Sequence, residues 1–578
     1  MIVKNMRNTF RNLVSIVVIA FCGCSGNVIQ HRLETSSIRQ YDKAEFSIEI
    51  EGAIENPYDQ HEVKLDMVLS SPSGKKIVVP CYYDPVTPGG GWKGRFAPRE
   101  AGAYHYEFLL TKSGKQSSAS EKAQFQSIPS GEDGFLHPND YWTFKFDSGK
   151  PFRGIGENVG WESRSFENKK WTYDYLLPTL SENGANFFRT WMCVWNLPLA
   201  FPNVNDTDRY QDSNGYFHEE GMRRMDELVE LSDSLGLYMM LAFDAHGSLM
   251  EDGYWKFNSH NVKNGGTANT PEEFFTNEAS KLKYKNRLRY IVARWGYSTS
   301  IAAWEFFNEI DNAAFTATPH DSVLISHDII TNWHDEMSTY LKEIDPYDHI
   351  ITTSVSHREI EGMNDLPNID LNQKHIYNKT HLIAPMIEKF IALHDKPYVI
   401  GEFGYDWNWD NVTHDRGAGF DYDYKRGLWY GMFSPTPILP MTWWWEFFDE
   451  RDMTRYFKSV REISDRMIDA GKGQFEKLSI ESQNLEAYGA KCGETYFVYL
   501  LNGSAKAVTG DVNVSGFTEG AFQIRYYSPS EGTYSNEQNH ESFKGKLSNV
   551  LLRSQEEMVV IISPMEEGQV KKSSTSPQ

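Results

Sequence analysis

Between Phe152 and about Gly471 the chain repeats one pattern, in which a short apolar run is followed by a longer stretch with helical spacing. Short strands that alternate with helices are typical of a parallel sheet joined by crossover connections. Eight repeats of about 40 residues predict an α/β fold, a closed (β/α)8 TIM barrel, whose functional side chains lie beyond the carboxyl ends of the strands. The eight predicted strands are Phe152–Gly156, Asn186–Thr190, Tyr238–Phe243, Ala302–Phe307, Ile350–Ser354, Leu371–His375, Tyr398–Glu402 and Ile438–Trp443.

The stretches between these runs have the spacing of helices that cover a sheet. We predict helices over Glu219–Leu235, Pro271–Arg294 and Ser326–Ile344. In the first of them, apolar residues recur at intervals of about 3.6 residues, as one buried helix face requires. These residues are Met222, Met225, Leu228, Val229 and Leu231.

On both sides of this region the pattern changes to alternating runs with a period of two. Phe46–Ile50 and Val63–Met67 lie before it, and Tyr496–Leu500, Phe522–Tyr526 and Met558–Ile562 lie after it. Alternation interrupted by Gly, Pro and Ser predicts small antiparallel β-sandwiches. The expected organisation is an N-terminal β-sandwich over residues 25–130, the barrel over 131–472, a C-terminal β-sandwich over 473–565 and a polar, disordered tail over 566–578.

The first residues have the form of an export signal. Basic residues precede an apolar run, Leu13–Phe21, that is too short to remain as a membrane span. Gly23 before Cys24 resembles a bacterial lipoprotein cleavage site, so we predict a signal over residues 1–24 and a lipid on Cys24. The chain would then be an exported lipoprotein of the cell envelope that touches a membrane only through this anchor, with plain secretion as the alternative.

The charge balance restricts the partners. The chain has 57 basic and 79 acidic side chains, a formal net charge of −22 and a pI of about 5.3. Nucleic acids and anionic membranes are bound by basic surfaces, so we expect neither as the main partner. Cys81, Cys193 and Cys492 give no disulfide framework or zinc spacing, and no phosphate loop or His-Glu-x-x-His motif occurs. We therefore predict that the chain needs no metal or cofactor. We also expect it to be a monomer.

Ionisable and aromatic side chains gather where the predicted strands end. Packing alone would not place them there, whereas an active site at the mouth of a barrel would. They are Glu157, Asn158 and Trp161 after the first strand, Arg189 and Trp191 at the second, Asp244 and His246 after the third, Asn308 and Glu309 at the fourth, His375 and Tyr377 at the sixth, Glu402 at the seventh, and Trp443, Trp444, Trp445 and Glu446 at the eighth.

Glu309 and Glu402 end the fourth and seventh strands and would face each other across the mouth of the barrel. Such a pair suits cleavage of a glycosidic bond, because one carboxyl group protonates the leaving oxygen while the other attacks the anomeric carbon, at a separation of about 5 to 5.5 Å. Arg189 and the Tyr377 hydroxyl are the predicted partners that keep Glu402 ionised, and a less polar surrounding would keep Glu309 protonated. Asn308 is predicted to bind a sugar 2-hydroxyl.

Two motifs carry a resemblance to a known family. Trp304-Glu-Phe-Phe-Asn-Glu309 resembles the Asn-Glu acid/base motif of clan A glycoside hydrolases, and Tyr398-Val-Ile-Gly-Glu-Phe403 resembles their nucleophile motif. The resemblance implies a retaining glycosidase with Glu309 as acid/base and Glu402 as nucleophile, acting on a glycan of the β-glucan or β-mannan type. Over about residues 150–470 the chain is similar to glycoside hydrolase family 5, the cellulase and mannanase type, and the matching positions implied to bind substrate are Arg189, His246, Asn308, His375, Tyr377, Trp443 and Trp445.

Several of these side chains have a second interpretation. Glu305 is the other candidate acid, but strand alternation places it deeper in the barrel, so we interpret it as a buried hydrogen-bonding group. The side chains with a structural alternative are Arg189, His246, His375, Glu157 and Glu446. The candidates for stacking on a sugar ring are Trp161, Trp191, Trp195, Trp407, Trp409 and Trp443–Trp445.

Two functional alternatives accompany the main hypothesis. One is a surface lipoprotein that binds glycans on an inactive barrel, which the presence of both carboxylates argues against. The other is an exo-acting β-glycosidase, in which loops such as Asn203–Tyr216 or Met250–Asn269 would close the cleft to a pocket. The segment Gly91–Pro98 resembles the β-domain that often precedes carbohydrate-active barrels, and we interpret that domain as a structural brace.

Overall fold

The computed structural model describes residues 28–86, 90–162, 171–205, 208–315, 323–535 and 537–565. The predicted export signal, the lipidation site Cys24 and the predicted disordered tail over 566–578 lie outside the described residues. Within those residues, no helix combines the length and apolar character that crossing a bilayer requires.

The N-terminal region consists of two β-sheets. One has the order β1-β3-β7-β6, and the other has the order β2-β10-β8-β4-β5 with β9 on the edge of β8. In β4 every second side chain is buried, and the ring of Phe46 in β3 lies 5.0 Å from that of Tyr106 in β8, so apolar faces of the two sheets meet. The strands are β1 (Ile29–Leu33), β2 (Ile38–Arg39), β3 (Ala44–Ile50), β4 (Val63–Ser70), β5 (Lys76–Pro80), β6 (Tyr82–Asp84), β7 (Gly91–Phe96), β8 (Gly102–Lys112), β9 (Lys115–Ala119) and β10 (Ala123–Ile128).

A small antiparallel sheet that the sequence did not predict follows, formed by β11 (Leu136–Pro138), β12 (Phe144–Phe146) and β13 (Pro151–Phe152). Phe152, predicted to open the first barrel strand, instead pairs with Phe144 in this sheet. In sequence, β13 resembles the first strand of a barrel, because this small sheet closes the floor of the barrel and its strands are as apolar as a barrel strand. Its aromatic rings share one core with barrel residues that include Phe187, Met240, Ala303, Ile350 and Val399.

Seven parallel strands then follow in sequence order and form a nearly closed barrel. The predicted eighth strand does not form a continuous ladder, and Ile438 and Thr442 instead make single parallel bridges to Gly154 and Phe403. Pro440 lies between them and has no N–H to donate, which prevents a full ladder. The seven strands are β14 (Gly156–Asn158), β15 (Phe187–Trp191), β16 (Tyr238–Ala245), β17 (Ile301–Asn308), β18 (Ile350–Val355), β19 (Leu371–Tyr377) and β20 (Tyr398–Gly404).

Helices lie between the barrel strands. Glu219–Leu235 is a helix with the predicted bounds, but the predicted helix Pro271–Arg294 is two helices. Asn277 interrupts it, because its side chain accepts from the backbone of Ala279 and Ser280 and so begins a new helix. The α-helices are α1 (Tyr173–Glu182), α2 (Glu219–Leu235), α3 (Pro271–Thr276), α4 (Glu278–Trp295), α5 (Asp311–Ala314), α6 (His327–Ile344), α7 (Ile383–His394), α8 (Gly417–Met432), α9 (Trp445–Glu450) and α10 (Phe457–Gly471).

Buried and half-buried ion pairs join the N-terminal region to the helices of the barrel. Arg95 of β7 donates to Asp226 of α2 at 2.9 Å, and Arg294 of α4 reaches the same carboxylate at 2.6 Å. Arg289 of α4 pairs with Asp66 of β4 at 2.6 Å. Guanidinium groups held between carboxylates fix the N-terminal sheets against the outer face of the barrel.

The C-terminal region is again formed by β-strands. One sheet has the order β21-β23-β24-β30-β26-β27 with β28 on β26, and a second has the order β22-β25-β29. The two sheets share an apolar core that contains Val498, Val512 and Ile562. The strands are β21 (Phe475–Lys477), β22 (Ile480–Ser482), β23 (Glu486–Cys492), β24 (Thr495–Leu501), β25 (Val508–Val514), β26 (Gly520–Ser528), β27 (Thr533–Tyr534), β28 (Gln538–Phe543), β29 (Lys546–Leu552) and β30 (Glu557–Pro564).

Candidate active site

Two carboxylates meet at the mouth of the barrel. Glu309 follows β17 and Glu402 lies in β20, and oxygens of the two side chains lie within 4.8 Å of each other and of a ring nitrogen of His375. This spacing is close to the separation of about 5 to 5.5 Å at which one carboxylate can attack directly, and shorter than the roughly 6.5 to 9.5 Å that leaves room for a water molecule.

A single buried guanidinium organises the base of the site. Arg189 donates to both oxygens of Glu305 at 2.7 and 2.8 Å and to one oxygen of Glu402 at 2.8 Å. It also donates to the side-chain carbonyl oxygens of Asn158 and Asn308 at 3.0 and 2.7 Å. Glu305 is thus the buried hydrogen-bonding group that strand alternation indicated. Arg189 makes a structural ion pair with Glu305 and also contacts Glu402 in the site.

Glu402 has donors on both of its carboxylate oxygens. Arg189 occupies one oxygen, and the Tyr377 hydroxyl donates to the other at 2.6 Å. Burial raises the pKa of Glu402, while the positive charge of Arg189 and the hydrogen bond from Tyr377 act in the opposite direction. Donors that prefer the charged form are the partners that an ionised carboxylate needs.

Glu309 has a different environment. Its Oε1 lies 2.7 Å from Nδ1 of His375, and its Oε2 accepts from the Asn312 amide at 2.9 Å. Burial raises the pKa of Glu309, and it lowers the pKa of His375 to about 4, so this histidine is neutral near pH 7. The Glu309 side chain is 14 % exposed and that of Glu402 4 %, so solvent reaches Glu309 more readily.

The backbone at Glu309 is strained. Its φ of 55° lies in the left-handed region that residues with a side chain rarely adopt. The Ser354 hydroxyl at the end of β18 accepts the Glu309 N–H at 2.9 Å and holds this conformation. Strain of this kind concentrates at functional positions, where it directs a side chain that a regular strand would aim elsewhere.

Asn312 is a site residue that the sequence analysis missed. Its amide oxygen accepts from Arg358 at 2.6 Å, which leaves the amide N–H group to donate to Glu309. Arg358 is held in turn by Asp311, whose carboxylate also accepts from the Ser356 hydroxyl at 2.6 Å. No motif marks this chain of contacts, because it joins a one-turn helix to a loop after the next strand.

Asn308 and His246 complete the rim around Glu309. Because Arg189 occupies the carbonyl oxygen of Asn308, the amide nitrogen points to His246, 3.3 Å from its Nδ1. His246 Nδ1 also lies 3.7 Å from Glu309. The structure therefore brings together Arg189, His246, Asn308, Glu309, His375, Tyr377 and Glu402, all of which were sequence-predicted site residues.

Tryptophans line the side of the site formed by the first, second and eighth strand ends. The ring of Trp161 lies 5.2 Å from that of Trp191, 5.3 Å from Trp443 and 5.0 Å from Trp445. Trp443 and Trp445 share this side, whereas Trp444 packs on Trp409 at 5.3 Å. Trp443 is 8 % exposed and Trp445 only 2 %, so Trp445 supports the cluster from within.

A cavity of about 140 Å³ opens beside this cluster. Its walls carry aromatic rings and almost no polar atoms, which suits the C–H face of a sugar ring. The lining includes Trp161, Trp191, Trp195, Tyr254 and His246.

Three other strand-end carboxylates do not join the pair. Asp244 forms a buried ion pair with Arg287 of α4 at 2.8 Å, and burial raises its pKa to about 6. Glu157 is buried, which raises its pKa well above the usual range, and the charge of nearby Asp449 adds to this effect. Glu446 is buried in the first turn of α9.

Glu309, His375 and Glu402 have the residue types and the spacing of a metal-ligand group. Their atoms, however, are engaged with one another and with other donors. Arg189 and Tyr377 occupy the oxygens of Glu402, and a guanidinium in direct contact opposes a second cation. The arrangement fits a protonated carboxyl group beside an ionised one better than metal binding.

The chain is similar to known proteins in sequence and in fold. Residues 147–434 match the family profile Cellulase (glycosyl hydrolase family 5), and residues 37–111 match a domain of unknown function, DUF5060. A crystal structure from Bacteroides vulgatus, assigned as a glycoside hydrolase, superposes with a TM-score of 0.65 at 15 % identity, covering 92 % of this chain and all of that one. At this identity the superposition shows a shared fold.

Curated relatives match in part of their length. A probable mannan endo-1,4-β-mannosidase A from Aspergillus flavus is 25 % identical over 209 residues, 34 % of this chain and 47 % of the relative. Mannan endo-1,4-β-mannosidase 3 from Oryza sativa is 25 % identical over 256 residues, 42 % of this chain and 48 % of the relative. The chain thus spans about half the length of these relatives. The barrel, the carboxylate pair and the profile match over residues 147–434 make the chain similar to clan A glycoside hydrolases of the family 5 type.

Proposed function

We propose that the protein is a retaining glycoside hydrolase that cleaves β-glycosidic bonds in a β-mannan or a related polysaccharide. The observation that carries the proposal is the Glu309–Glu402 pair, whose oxygens lie within 4.8 Å of each other. Their unequal partners support unequal roles. A guanidinium and a phenol hydroxyl contact Glu402, whereas a neutral histidine and an amide contact Glu309.

In the first step a carboxylate oxygen of Glu402 attacks the anomeric carbon, and the bond from that carbon to the leaving oxygen breaks. Glu309 gives its proton to the leaving oxygen, so the departing sugar leaves as an alcohol. Arg189 stays on Glu402 and holds its position while this carboxylate becomes a neutral ester and the negative charge appears on the deprotonated Glu309. The Asn308 amide nitrogen, with its carbonyl oxygen fixed by Arg189, is directed to donate to the sugar 2-hydroxyl.

In the second step Glu309, now a carboxylate, takes a proton from a water molecule whose oxygen attacks the anomeric carbon. The bond to Glu402 breaks, Glu402 returns to its ionised form, and the product has the configuration of the substrate. The greater exposure of Glu309 suits this step, because water must reach it after the leaving group has departed.

The names of the curated relatives favour mannan over glucan as substrate. The experiment that tests the sugar is a screen of the purified protein on defined β-mannans, β-glucans and xylans, with products separated by chromatography. Release of mannose oligosaccharides would support the proposal, and turnover of a different polysaccharide alone would reject the mannan assignment.

The roles of the two carboxylates are tested by azide rescue of alanine variants on an aryl β-glycoside. In Glu402→Ala, azide enters the space of the lost nucleophile and yields the α-glycosyl azide. In Glu309→Ala, azide attacks the glycosyl-enzyme and yields the β-glycosyl azide. Glu476→Gln, an exposed carboxylate of β21, is the control with unchanged activity. Full activity of either alanine variant, or azides of the opposite anomer, would contradict the assignment, and no turnover by the wild type would favour the glycan-binding alternative.

The proposal includes the ends of the chain and the flanking regions. The regions 25–130 and 473–565 would be β-sandwich domains, and the Arg95 and Arg289 ion pairs support a bracing role for the first of them. Cleavage between Gly23 and Cys24 and acylation of Cys24 would tether a monomer to the cell envelope. Cys24→Ser should abolish incorporation of a labelled fatty acid, and incorporation into that variant would reject the anchor.

A further inference from the structure

Trp407 and Trp409 are the two exposed tryptophans of the chain. Trp407 is 67 % and Trp409 44 % exposed, whereas the others of the 16, all within the described residues, are buried or half-buried. Both lie in residues 405–411, here called the strand-7 loop, which begins directly after β20. A chain that buries its other indoles and exposes two in one loop beside the candidate site indicates a function for them.

The strand-7 loop holds these rings in place. The Asp406 carboxylate accepts from the Asn408 N–H at 3.0 Å and from the Asn411 amide at 2.9 Å, and pairs with Arg416 at 3.2 Å. The Trp444 indole donates to the Asp406 backbone carbonyl at 2.7 Å. Trp407 is therefore exposed at the corner of a braced turn, and little conformational entropy would be lost when a ligand packs on it.

The loop is continuous with the candidate active site. Trp409 packs on Trp444, the residue next to Trp443 of the tryptophan cluster. Trp407 follows Glu402 by five residues (407 − 402), so an extended chain separates their Cα atoms by at most roughly 18 Å. A ligand seated on Glu402 reaches Trp407 if it is a few sugar units long.

The surroundings of the two rings fit a glycan better than a protein. Asn408, Asp410 and Asn411 are neighbours of the indoles in the sequence and are exposed or half-buried, and their amide and carboxylate groups suit sugar hydroxyls. A protein partner would require a larger contiguous apolar patch than two rings in a polar frame. A neutral polysaccharide presents C–H faces and hydroxyl groups in alternation, which matches this surface.

We propose that the strand-7 loop binds the polysaccharide on the side of the site opposite the cavity lined by Trp195 and Tyr254, so that the substrate crosses the carboxylate pair and is cut at internal bonds. In the ring of strands, β20 lies across the barrel from β15 and β16, whose following loops form that cavity. A binding surface on each side of the pair is what endo-action requires, and a closed pocket of an exo-acting enzyme would provide one side only. The inference rests on the proposed hydrolase function.

The test compares a long and a short substrate in Trp407→Ala and Trp409→Ala. With the polysaccharide that the wild type hydrolyses, KM should rise by about tenfold. With an aryl glycoside of the matching monosaccharide, kcat/KM should stay at the wild-type value, because a single sugar ring seated on the carboxylate pair makes no contact with the loop. Trp407→Phe, which keeps an aromatic face, should restore most of the affinity for the polymer. Leu551→Ala truncates a residue that is 62 % exposed in β29 and serves as the matched control.

An equal loss on both substrates, or no change on either, would overturn the proposal. Failure of the hydrolase function itself is recognised separately, by electrophoresis of the proteins through gels that contain β-mannan or β-glucan. If the wild type shows no turnover but is retarded in such a gel, loss of retardation in Trp407→Ala supports the binding surface. Undiminished retardation of that variant rejects it, whatever the activity.

Discussion

At the scale of single residues, the Tyr377 hydroxyl makes the environment of Glu402 different from that of Glu309. It donates to Glu402 at 2.6 Å, and this hydrogen bond lowers the pKa of Glu402 against the effect of burial. In Tyr377→Phe we expect kcat/KM to fall by about 10- to 100-fold, the range for a lost hydrogen bond to a charged group. The acidic limb of the pH profile should move to higher pH, because Glu402 would then hold its proton more tightly. An unchanged acidic limb would show that the hydroxyl does not tune this carboxylate.

Asn312 tunes the other carboxylate in the same direction. Its amide donates to Glu309 and lowers a pKa that burial and Asp311 raise. Removing the donor in Asn312→Ala should shift the basic limb of the kcat/KM profile upward by about one pH unit. Asn368→Ala, which removes an exposed amide that bonds to Thr339, is the control and should leave the profile unchanged. A downward shift in Asn312→Ala would contradict the assigned direction.

The predicted site residues came from strand ends, and this is why most of them are found together. Arg189, Glu309 and Glu402 could be predicted because the carboxyl ends of parallel strands converge on one mouth. Asp244 ends a strand in the same way but pairs with Arg287, a partner that strand periodicity does not reveal. Asn312 lies in a one-turn helix, where its role depends on a contact with Arg358 that only the folded chain creates.

At the scale of elements, β19 and β20 pack closely beside Glu402. A Cβ on Gly401 would lie 2.1 Å from Oε1 of the buried Gln373, a distance at which either the Gln373 side chain or the strand must move. Gly401→Ala should therefore lower the free energy of unfolding by about 1–3 kcal/mol and reduce kcat by displacing Glu402. At Gly131 an added Cβ meets no atom within 4 Å, so Gly131→Ala should stay within about 0.5 kcal/mol of the wild type. Equal stability of both variants, measured by chemical denaturation, would show that Gln373 yields without cost.

Elements with one strong periodicity were predictable, and elements that depend on a neighbour were not. The helix Glu219–Leu235 has an apolar face of its own and ends at Gly236, whose φ of 64° suits glycine. The first strand was misplaced because Phe152 covers the barrel floor and is as apolar as a strand. The predicted helix Pro271–Arg294 is divided at Asn277 because the Asn277 side chain caps a new helix. A single polar residue in a helical pattern does not indicate such a cap.

At the scale of the whole molecule, a buried carboxylate joins the C-terminal region to the barrel. Glu557 of β30 accepts from the hydroxyl groups of Tyr499 in β24 at 3.0 Å and Ser530 at 2.8 Å. It also accepts from Tyr456, the residue before α10. One side chain therefore links a C-terminal sheet to a barrel helix, and its ionisation affects how the two regions hold together.

Burial raises the pKa of Glu557 above that of an exposed glutamate. At pH values between the unfolded and the folded pKa, the folded chain therefore holds a proton that the unfolded chain releases. The stability this proton provides is complete below the unfolded pKa of about 4.3 and is lost as the pH rises through the folded pKa. Glu557→Gln stays neutral and keeps an acceptor for the hydroxyl groups. We expect its melting temperature relative to the wild type to increase between pH 4 and pH 8, as followed by thermal denaturation at a series of pH values. A difference that stays constant over this range would mean that Glu557 ionises in the folded protein as readily as in the unfolded chain.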